Sequence, residues 1–247
     1  MPRDDGWRPA RDRHYNRAMA TSQLTPSVDR RLSAWLSVQD RLRPSARVEH
    51  RLTITLSRQF GCEAYPLAES LAEALARHTG QAWTVFDKAL IERVSQETRL
   101  SEHLLARLGD ETRVLDKLAG AIRGWHTHTD AYEALARHIV RIAREGNAII
   151  VGRGGAIVAQ ELLNCFHFRL EAPREHRIAS IQQRLGVSLK QAEALVAEHQ
   201  QRRERFLEEF LHCSIGETRW YHAVFNMSRS PLPRTTASIL ALLPCAD

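Results

Sequence analysis

The feature that most constrains this chain is the run at residues 52–61, Leu-Thr-Ile-Thr-Leu-Ser-Arg-Gln-Phe-Gly, which leads directly into an alanine- and leucine-rich segment. Its alternating β-branched residues predict a strand, Gly61 predicts a turn, and Pro66 is typical of the first helical position. A strand that leads through a glycine turn into a helix brings backbone N–H groups and the positive end of the helix dipole to one point. The sequence therefore indicates a candidate anion site at this first turn (residues 57–64).

The first turn departs from the pattern of a full phosphate loop, G-x-x-x-x-G-K-[ST]. It has one glycine and no lysine, and Glu63 places a carboxylate inside it. A carboxylate about 4 Å from a phosphate charge costs about 4 kcal/mol at an effective dielectric constant near 20, so a phosphate-binding turn requires that Glu63 point away. The alternative is an ordinary strand-to-helix turn that binds no ligand.

Strands and helices alternate along the rest of the chain. Further strands are predicted at residues 82–86, 148–151, 165–170 and 221–226. Helices are predicted at residues 67–78, 101–108, 111–122, 131–144, 174–185, 189–211 and 235–243, and after Asp87. Asp87 and Ser188 are suitable N-caps, and Gly80 is a suitable stop. Because parallel neighbours require crossover connections, this alternation predicts an α/β fold with a parallel sheet and helices on both faces.

The length and composition allow one sizeable domain, since the chain has 247 residues of which 43% are hydrophobic. We assign residues 49–247 to this domain and residues 1–48 to an arginine-rich tail that ends in a short helix. Residues 1–24 are poor in aliphatic side chains and are expected to be disordered. Apolar residues at helical spacing predict an amphipathic helix at residues 28–42 that docks on the domain. The alternative is a helix that binds a membrane surface or a partner.

The formal net charge of +6 comes mostly from arginine, a residue that prefers planar anions such as phosphate and carboxylate. Nucleic acid, an anionic membrane or a nucleotide could each bind such a surface. Much of the excess charge lies in the first fifty residues, so it says less about the domain. Aromatic side chains are not interleaved with the arginines, which argues against nucleic acid as the partner.

The chain has four widely spaced cysteines, Cys62, Cys165, Cys213 and Cys245. They form neither a C-x-x-C motif nor a Cys/His zinc pattern, which indicates a reducing, cytoplasmic location. No apolar run approaches the roughly 20 residues that a membrane span requires, and no signal peptide is recognisable at the N-terminus. His126, His128 and Asp130 could suggest a metal, but no fourth ligand is in view, so we predict a solvated loop and no metal site.

Several short motifs follow one another in a fixed order: I-T-L-S-R-Q-F-G at residues 54–61, V-F-D-K-A-L-I at 85–91, I-V-G-R-G-G at 150–155 and F-R-L-E-A-P at 168–173. Arg177-Ile178, R-E-R-F at residues 203–206 and the strand at 221–226 complete the series. In this order and spacing the motifs resemble the cytidylate kinase-like family, a branch of the P-loop nucleoside monophosphate kinases. The resemblance covers residues 51–243.

The resemblance implies a P-loop kinase-like three-layer fold with a parallel five-stranded sheet, a helical insertion that holds the monophosphate, and an arginine-bearing helical lid. We use "lid" for the two charged helices at residues 174–185 and 189–211. The implied reaction moves the γ-phosphoryl group of ATP, bound with Mg²⁺, onto CMP or a related nucleoside monophosphate. By the same resemblance, the ATP phosphates bind at Ser57, Arg58, Gly61, Cys62, Glu63 and Ala64.

The resemblance also implies roles for an acidic residue and four arginines. Asp87 would help to orient the acceptor or Mg²⁺. Arg153, which follows a strand end where open α/β sheets bind ligands, would bind the acceptor phosphate. Arg177, Arg203 and Arg205 would act with Arg153 in catalysis by neutralising the transferring phosphoryl group. The alternatives are a structural ion pair for Arg153, a helix cap for Asp87 and a solvated helix face for the lid arginines.

Two departures from the family pattern leave two hypotheses for the function. The family commonly has G-S-G-G where this chain has residues 61–64, and Gln200 replaces a usual Asp, which we expect to weaken lid closure. The first hypothesis is an active monophosphate kinase. The second is a kinase-fold protein that has lost phosphoryl transfer and binds a nucleotide or a macromolecular partner. The sequence specifies neither the acceptor base nor an oligomeric state.

Overall fold

The computed structural model describes residues 27–41, 51–96, 128–214 and 216–244. Within these residues the strands are β1 Thr53–Arg58, β2 Thr84–Phe86, β3 Ala148–Val151, β4 Cys165–Glu171 and β5 Ala223–Asn226. The α-helices are α1 Val28–Arg41, α2 Ala64–Thr79, α3 Lys88–Gln96, α4 His128–Glu145, α5 Gly155–Val158, α6 Arg174–Leu185, α7 Leu189–Leu211 and α8 Leu232–Ala241. The lid therefore consists of α6 and α7.

The strands lie in the order β2-β3-β1-β4-β5, and every neighbouring pair is parallel. This arrangement confirms the predicted α/β fold with a parallel five-stranded sheet. In the observed register, Thr55 of β1 lies beside Ile150 of β3 and His167 of β4. The carboxyl ends of β1, β2 and β3 consequently bring the first turn, Asp87 and residues 152–155 to one edge of the sheet, where ligands bind in open α/β folds.

Two apolar layers cover the two faces of the sheet. Leu56, Leu67 and Phe168 are fully buried on the face that α2 and α8 cover. Phe86 and Ile139 are fully buried on the other face, which α1, α3 and α4 cover. Complete burial stabilises each such side chain by about 1.5–3 kcal/mol relative to exposure, so the sheet edge rests on a rigid support.

The prediction for α2 was wrong at its N-terminal end and correct at its C-terminal end. The helix begins at Ala64, so Pro66 occupies its third position and not the first. It ends as predicted at Gly80, where φ is +67° and the N–H donates to the carbonyl of Ala76 at 3.0 Å. Because the helix starts within the first turn, its N-terminal N–H groups lie at the candidate anion site.

The later elements also shift by a few residues. α4 already begins at His128, so the solvated loop predicted around His126, His128 and Asp130 is wrong at its end, and His126 lies outside the described residues. β5 starts at Ala223, after a 3₁₀ helix at Thr218–Trp220, and α8 starts at Leu232, before the predicted residue 235. The helices predicted at 101–108 and 111–122 and the tail at 1–24 lie outside the described residues.

The helix predicted before the domain is present as α1 and docks on it, as expected. Leu32 and Trp35 are buried in the layer that contains Phe86, and the Trp35 and Phe86 rings meet edge to face with centroids 5.5 Å apart. Among the described helices, none has the length and apolar character needed to cross a membrane. The burial of Leu32 and Trp35 shows that the described part of the apolar face of α1 packs against the protein itself.

Candidate active site

The backbone of the first turn packs directly against the lid. Gly61 has φ of +98°, a conformation that side chains with a Cβ rarely adopt. A Cβ atom at this position would lie 2.6 Å from Cβ of Arg177 and 2.8 Å from its carbonyl oxygen. Glycine is therefore required at residue 61 for two reasons, the backbone angle and the close approach of α6.

The N–H groups of the first turn divide into two sets. After the end of β1, four of them donate inside the protein: Gln59 to the Leu170 carbonyl at 3.0 Å, Phe60 to Gln200 Oε1 at 3.0 Å, Cys62 to the Gln59 carbonyl at 3.2 Å and Ala64 to the Cys62 carbonyl at 3.0 Å. The N–H groups of Gly61 and Glu63 donate to no acceptor among the described residues. Glu63 occupies the N-cap position of α2, but its side chain accepts no hydrogen bond from the N–H groups of the first helical turn. Two N–H groups and the positive end of α2 consequently remain available to an anion.

The electrostatic environment of Cys62 shows that positive charge surrounds this turn. Burial raises the pKa of the Cys62 thiol to about 11; the nearby charges of Arg177, Arg203 and Arg169 oppose that shift, and the Glu171 carboxylate adds to it. The thiol is thus protonated at neutral pH and is no nucleophile. The three guanidinium groups act on a site at the start of a helix, which is the environment that a phosphate requires.

Two of these arginines are oriented by carbonyl groups. Arg177 donates from Nε to the Ala172 carbonyl at 3.1 Å and from Nη1 to the Phe60 carbonyl at 3.3 Å. Arg203 donates from Nη1 to the carbonyl of Arg58 at 3.4 Å, and its Cζ lies 5.1 Å from the Phe60 ring. The lid arginines therefore fix the first turn as well as bringing charge to it.

Gln200 contributes to the same contact between the lid and the turn. Its Oε1 atom accepts the Phe60 N–H, and its Nε2 atom donates to Glu204 at 2.8 Å. The Phe60 ring stacks on His199 with centroids 4.5 Å apart. Gln200 stands where the family usually has Asp, and we expected this difference to weaken lid closure. Gln200 instead accepts a hydrogen bond from the turn and so connects the lid with it.

Arg205 is the one predicted lid arginine that the structure does not bring to the turn. Its side chain is exposed on α7. Two residues along a helix differ by about 200° in direction, so Arg205 and Arg203 cannot share one face. The structure supports the solvated alternative for this residue.

Asp87, to which the resemblance assigns a role at the acceptor, lies directly after β2. Its Oδ1 atom accepts the Leu90 N–H at 2.9 Å, which confirms the predicted helix cap. Its Oδ2 atom lies 3.2 Å from Nη2 of Arg31, an arginine of α1. Arg31 also donates from Nη1 to the Tyr65 hydroxyl at 3.2 Å. Sequence reasoning missed Arg31 and Tyr65, because no local pattern connects α1 with the sheet edge.

Arg153 lies in the turn after β3, next to Arg58 at the end of β1. Its backbone has φ of +56°, and its carbonyl accepts the Tyr132 hydroxyl at 3.3 Å. Its Cζ lies 5.2 Å from the ring of Phe206. A Cβ at Gly152 would collide with Nη1 of Arg58, so that guanidinium lies directly over the turn. Two arginines therefore border the end of β3.

A buried polar cluster adjoins the first turn on β4 and just before β5, and of its members sequence reasoning assigned a role only to Ser57. Arg169 is 2% exposed and pairs through Nε with Glu171 at 2.5 Å. Its Nη1 atom is buried and has no hydrogen-bond partner among the described residues. Ser57 accepts the Tyr221 hydroxyl at 3.2 Å, and the Tyr221 ring lies 5.7 Å from Cζ of Arg169. Alternation along β4 indicated only a buried strand, which gives no signal for a charged side chain.

The donor set fits the phosphates of a nucleotide better than it fits a protein-bound metal. Among the described residues, no group of three or more His, Cys, Asp or Glu side chains could hold a metal ion. Mg²⁺ commonly binds through one or two carboxylates together with substrate phosphates. The first turn and its arginines would hold the phosphates, and Mg²⁺ would be bound mainly by those phosphates.

Comparison with protein families matches residues 53–229 to the cytidylate kinase-like family. The chain belongs to this family. The match starts at the first residue of β1 and includes the first turn, both lid helices and β5. In the described residues, this cytidylate kinase-like chain has the α/β fold with a five-stranded parallel sheet and the two lid helices that the resemblance implied. No curated protein matches the chain.

Three solved structures are similar to this cytidylate kinase-like chain to different degrees. An uncharacterized protein from Eubacterium ventriosum ATCC 27560 has a TM-score of 0.60 and 17% identity, covering 77% of this chain and 97% of that chain. Shikimate kinase from Bacteroides thetaiotaomicron has a TM-score of 0.42 and 11% identity, covering 77% and 97%. TT1252 from Thermus thermophilus has a TM-score of 0.36 and 17% identity, covering 79% and 99%. At 17% identity, the likeness to the Eubacterium ventriosum protein concerns the fold alone.

Proposed function

We propose that this member of the cytidylate kinase-like family is a nucleoside monophosphate kinase that uses Mg-ATP and accepts CMP or a related monophosphate. The observation that carries the proposal is the contact of two lid arginines with the first turn, where Arg177 donates to the Phe60 carbonyl and Arg203 donates to the Arg58 carbonyl. Asp87 follows β2 and Arg153 follows β3, and these two strands are neighbours in the sheet. Donor and acceptor phosphates would therefore meet between the ends of β1, β2 and β3.

The chain's own residues would act by position and charge. The Gly61 and Glu63 N–H groups and the start of α2 would bind the donor phosphates, while Arg177 and Arg203 offset the charge of the transferring group. Arg153 would bind the acceptor phosphate with its guanidinium fork. An oxygen of that phosphate forms the new bond to the γ-phosphorus, the bond from the γ-phosphorus to the β,γ-bridging oxygen breaks, and ADP leaves.

The structure also favours a second candidate, a kinase-fold protein that binds a nucleotide or a macromolecule without transfer. The first turn has no lysine, and Arg177 and Arg203 already donate to backbone carbonyls of the turn. A guanidinium held by a carbonyl has fewer donors left for a moving phosphoryl group. This candidate would retain phosphate binding and lack turnover.

One experiment separates the two candidates. The full chain is incubated with ATP, Mg²⁺ and each common nucleoside monophosphate, and diphosphate product is measured; calorimetry measures ATP binding in parallel. Product formed by the wild type and lost in Arg153→Ala supports the kinase. ATP binding without product for any acceptor supports the binding protein. Absence of both binding and product contradicts both candidates.

A further inference from the structure

The helix α1 lies outside the part of the chain that matches the family, yet it contributes a side chain to the acceptor side of the site. The match begins at residue 53, whereas α1 covers Val28–Arg41. Arg31 of α1 donates from Nη2 to both oxygens of Asp87, at 3.4 and 3.2 Å, and from Nη1 to the Tyr65 hydroxyl. One guanidinium therefore connects the end of β2 with the start of α2.

The burial of Arg31 distinguishes it from an ordinary surface ion pair. Its side chain is 11% exposed, and its Nε atom is buried without a hydrogen-bond partner among the described residues. Its Cζ also lies 5.7 Å from the centre of the Tyr65 ring. The nearby pair of Asp29 and Arg93, in contrast, is 3.8 Å long and largely exposed. Ion pairs of the exposed kind contribute little, whereas loss of one member of a buried pair leaves the other charge uncompensated.

The attachment of α1 does not depend on Arg31 alone. Leu32 and Trp35 are buried against the domain and provide the apolar contact. The cap of α3 uses only the Oδ1 atom and the carbonyl of Asp87. The bond from Arg31 to Oδ2 takes part neither in the cap of α3 nor in the apolar attachment of α1. Its effect is to fix the orientation of the Asp87 carboxylate.

We propose that Arg31 is a positioning residue of the acceptor site, and this inference rests on the proposed kinase function. It holds the Asp87 carboxylate in one orientation and neutralises its charge, so that an incoming monophosphate meets no uncompensated anion at the end of β2. Loss of Arg31 leaves Asp87 as a free negative charge beside the acceptor phosphate. The affinity for the monophosphate, and not that for ATP, depends on α1.

The test compares steady-state kinetics of full-length Arg31→Ala with those of Arg30→Ala. Arg30 is the adjacent arginine of α1 and is exposed, so Arg30→Ala is the matched control. We expect Arg31→Ala to raise KM for the monophosphate by about tenfold or more while KM for ATP stays within about twofold of wild type. Arg31→Lys should recover only part of the loss, because an ammonium group cannot make the forked contact.

A double variant tests whether Arg31 acts through Asp87. If it does, Arg31→Ala with Asp87→Asn should raise the monophosphate KM no further than the more severe single variant. Additive effects of the two changes overturn the inference. So does an Arg31→Ala enzyme whose two KM values match those of Arg30→Ala, and in that case the kinase proposal stands.

A merely structural role gives a different pattern. It predicts that kcat falls in proportion to the folded fraction, which circular dichroism measures, while the KM values for ATP and for the monophosphate stay unchanged. That pattern in Arg31→Ala and Arg31→Lys overturns the inference. A wild-type protein that neither forms product nor binds a monophosphate overturns the inference and the proposed function together.

Discussion

The Glu63 carboxylate lies 3.6 Å from the Nε atom of Arg184, so the acidic residue of the first turn pairs with the end of α6. Both side chains are roughly half exposed, at 42% and 45%. A phosphate-binding turn requires that the Glu63 carboxylate point away from the phosphates. The pairing is consistent with this requirement, because the carboxylate is directed towards Arg184 of the lid. The pair also joins the first turn to the lid, next to the contacts of Gly61 and Gln200.

Replacing Glu63 by glycine should raise the affinity for ATP. The change removes a negative charge from the turn and releases Arg184, so the dissociation constant should fall by up to about tenfold, which corresponds to about 1.4 kcal/mol. The stability should change little, since exposed pairs contribute about 0–1 kcal/mol. Calorimetric titration with Mg-ATP measures the effect. Glu63→Gln separates charge from side-chain size, and unchanged affinity in both variants would exclude an electrostatic effect of Glu63.

Arg177→Ala should destabilise the fold more than Arg174→Ala. Arg177 donates two hydrogen bonds to carbonyls, whereas Arg174, on the same helix, is exposed. Each bond from a charged donor contributes about 1.5–3 kcal/mol, so the loss of both should lower the free energy of unfolding by at least about 3 kcal/mol. Urea denaturation monitored by circular dichroism measures it. Equal stability of the two variants would show that these bonds do not hold the turn.

Arg153→Ala should leave the fold intact and abolish measurable monophosphate binding. Alanine has no guanidinium fork, and Arg153→Lys should restore only part of the affinity. Calorimetry with CMP compares the three proteins, and their melting temperatures serve as the control for folding. Equal CMP affinity in wild type and Arg153→Ala would remove this residue from the acceptor site.

Removal of residues 1–24 should change neither the melting temperature nor nucleotide affinity, whereas removal of residues 1–41 should lower the melting temperature clearly. The longer deletion removes the buried side chains Leu32 and Trp35. Truncation of a buried Trp to Ala alone costs about 3–5 kcal/mol. Differential scanning calorimetry compares both proteins with the full chain. A large effect of the shorter deletion would show that the tail stabilises the domain.

The stability of the protein should fall between pH 6.5 and pH 4 because of His167. Burial, with a smaller contribution from His222, lowers the pKa of His167 from 6.5 to about 4. In that pH range the unfolded chain binds a proton at His167 and the folded chain does not, so acid favours unfolding. The full shift corresponds to about 3 kcal/mol.

A substitution separates His167 from the other buried histidine. The pKa of His138 is also lowered by burial, so some pH dependence should remain in His167→Gln. Urea denaturation at several pH values should nevertheless give a smaller decrease for His167→Gln than for wild type. His176→Gln, an exposed position on α6, is the matched control. An identical pH profile for His167→Gln and wild type would contradict the assignment.

The sequence by itself determined the elements and their class. Period-two and helical patterns predicted the five strands and the helices of the lid, because those patterns reflect which face of each element is buried. Local chemistry predicted the Asp87 cap and the Gly80 stop, since both depend on groups within a few residues. Boundaries shifted where apolar or turn residues suit two structures, as at Ala64 and His128.

Only the tertiary structure decided how the site is assembled. Arg31 reaches Asp87 across 56 residues, and Gln200 reaches Phe60 across 140. Neither contact leaves a pattern in the sequence, because the residues meet only after the sheet, α1 and the lid have packed. The same packing leaves Arg205 exposed while Arg203 faces the turn, since the two point in different directions from one helix. Local periodicity specifies elements, and the packing of elements specifies which charges share one space.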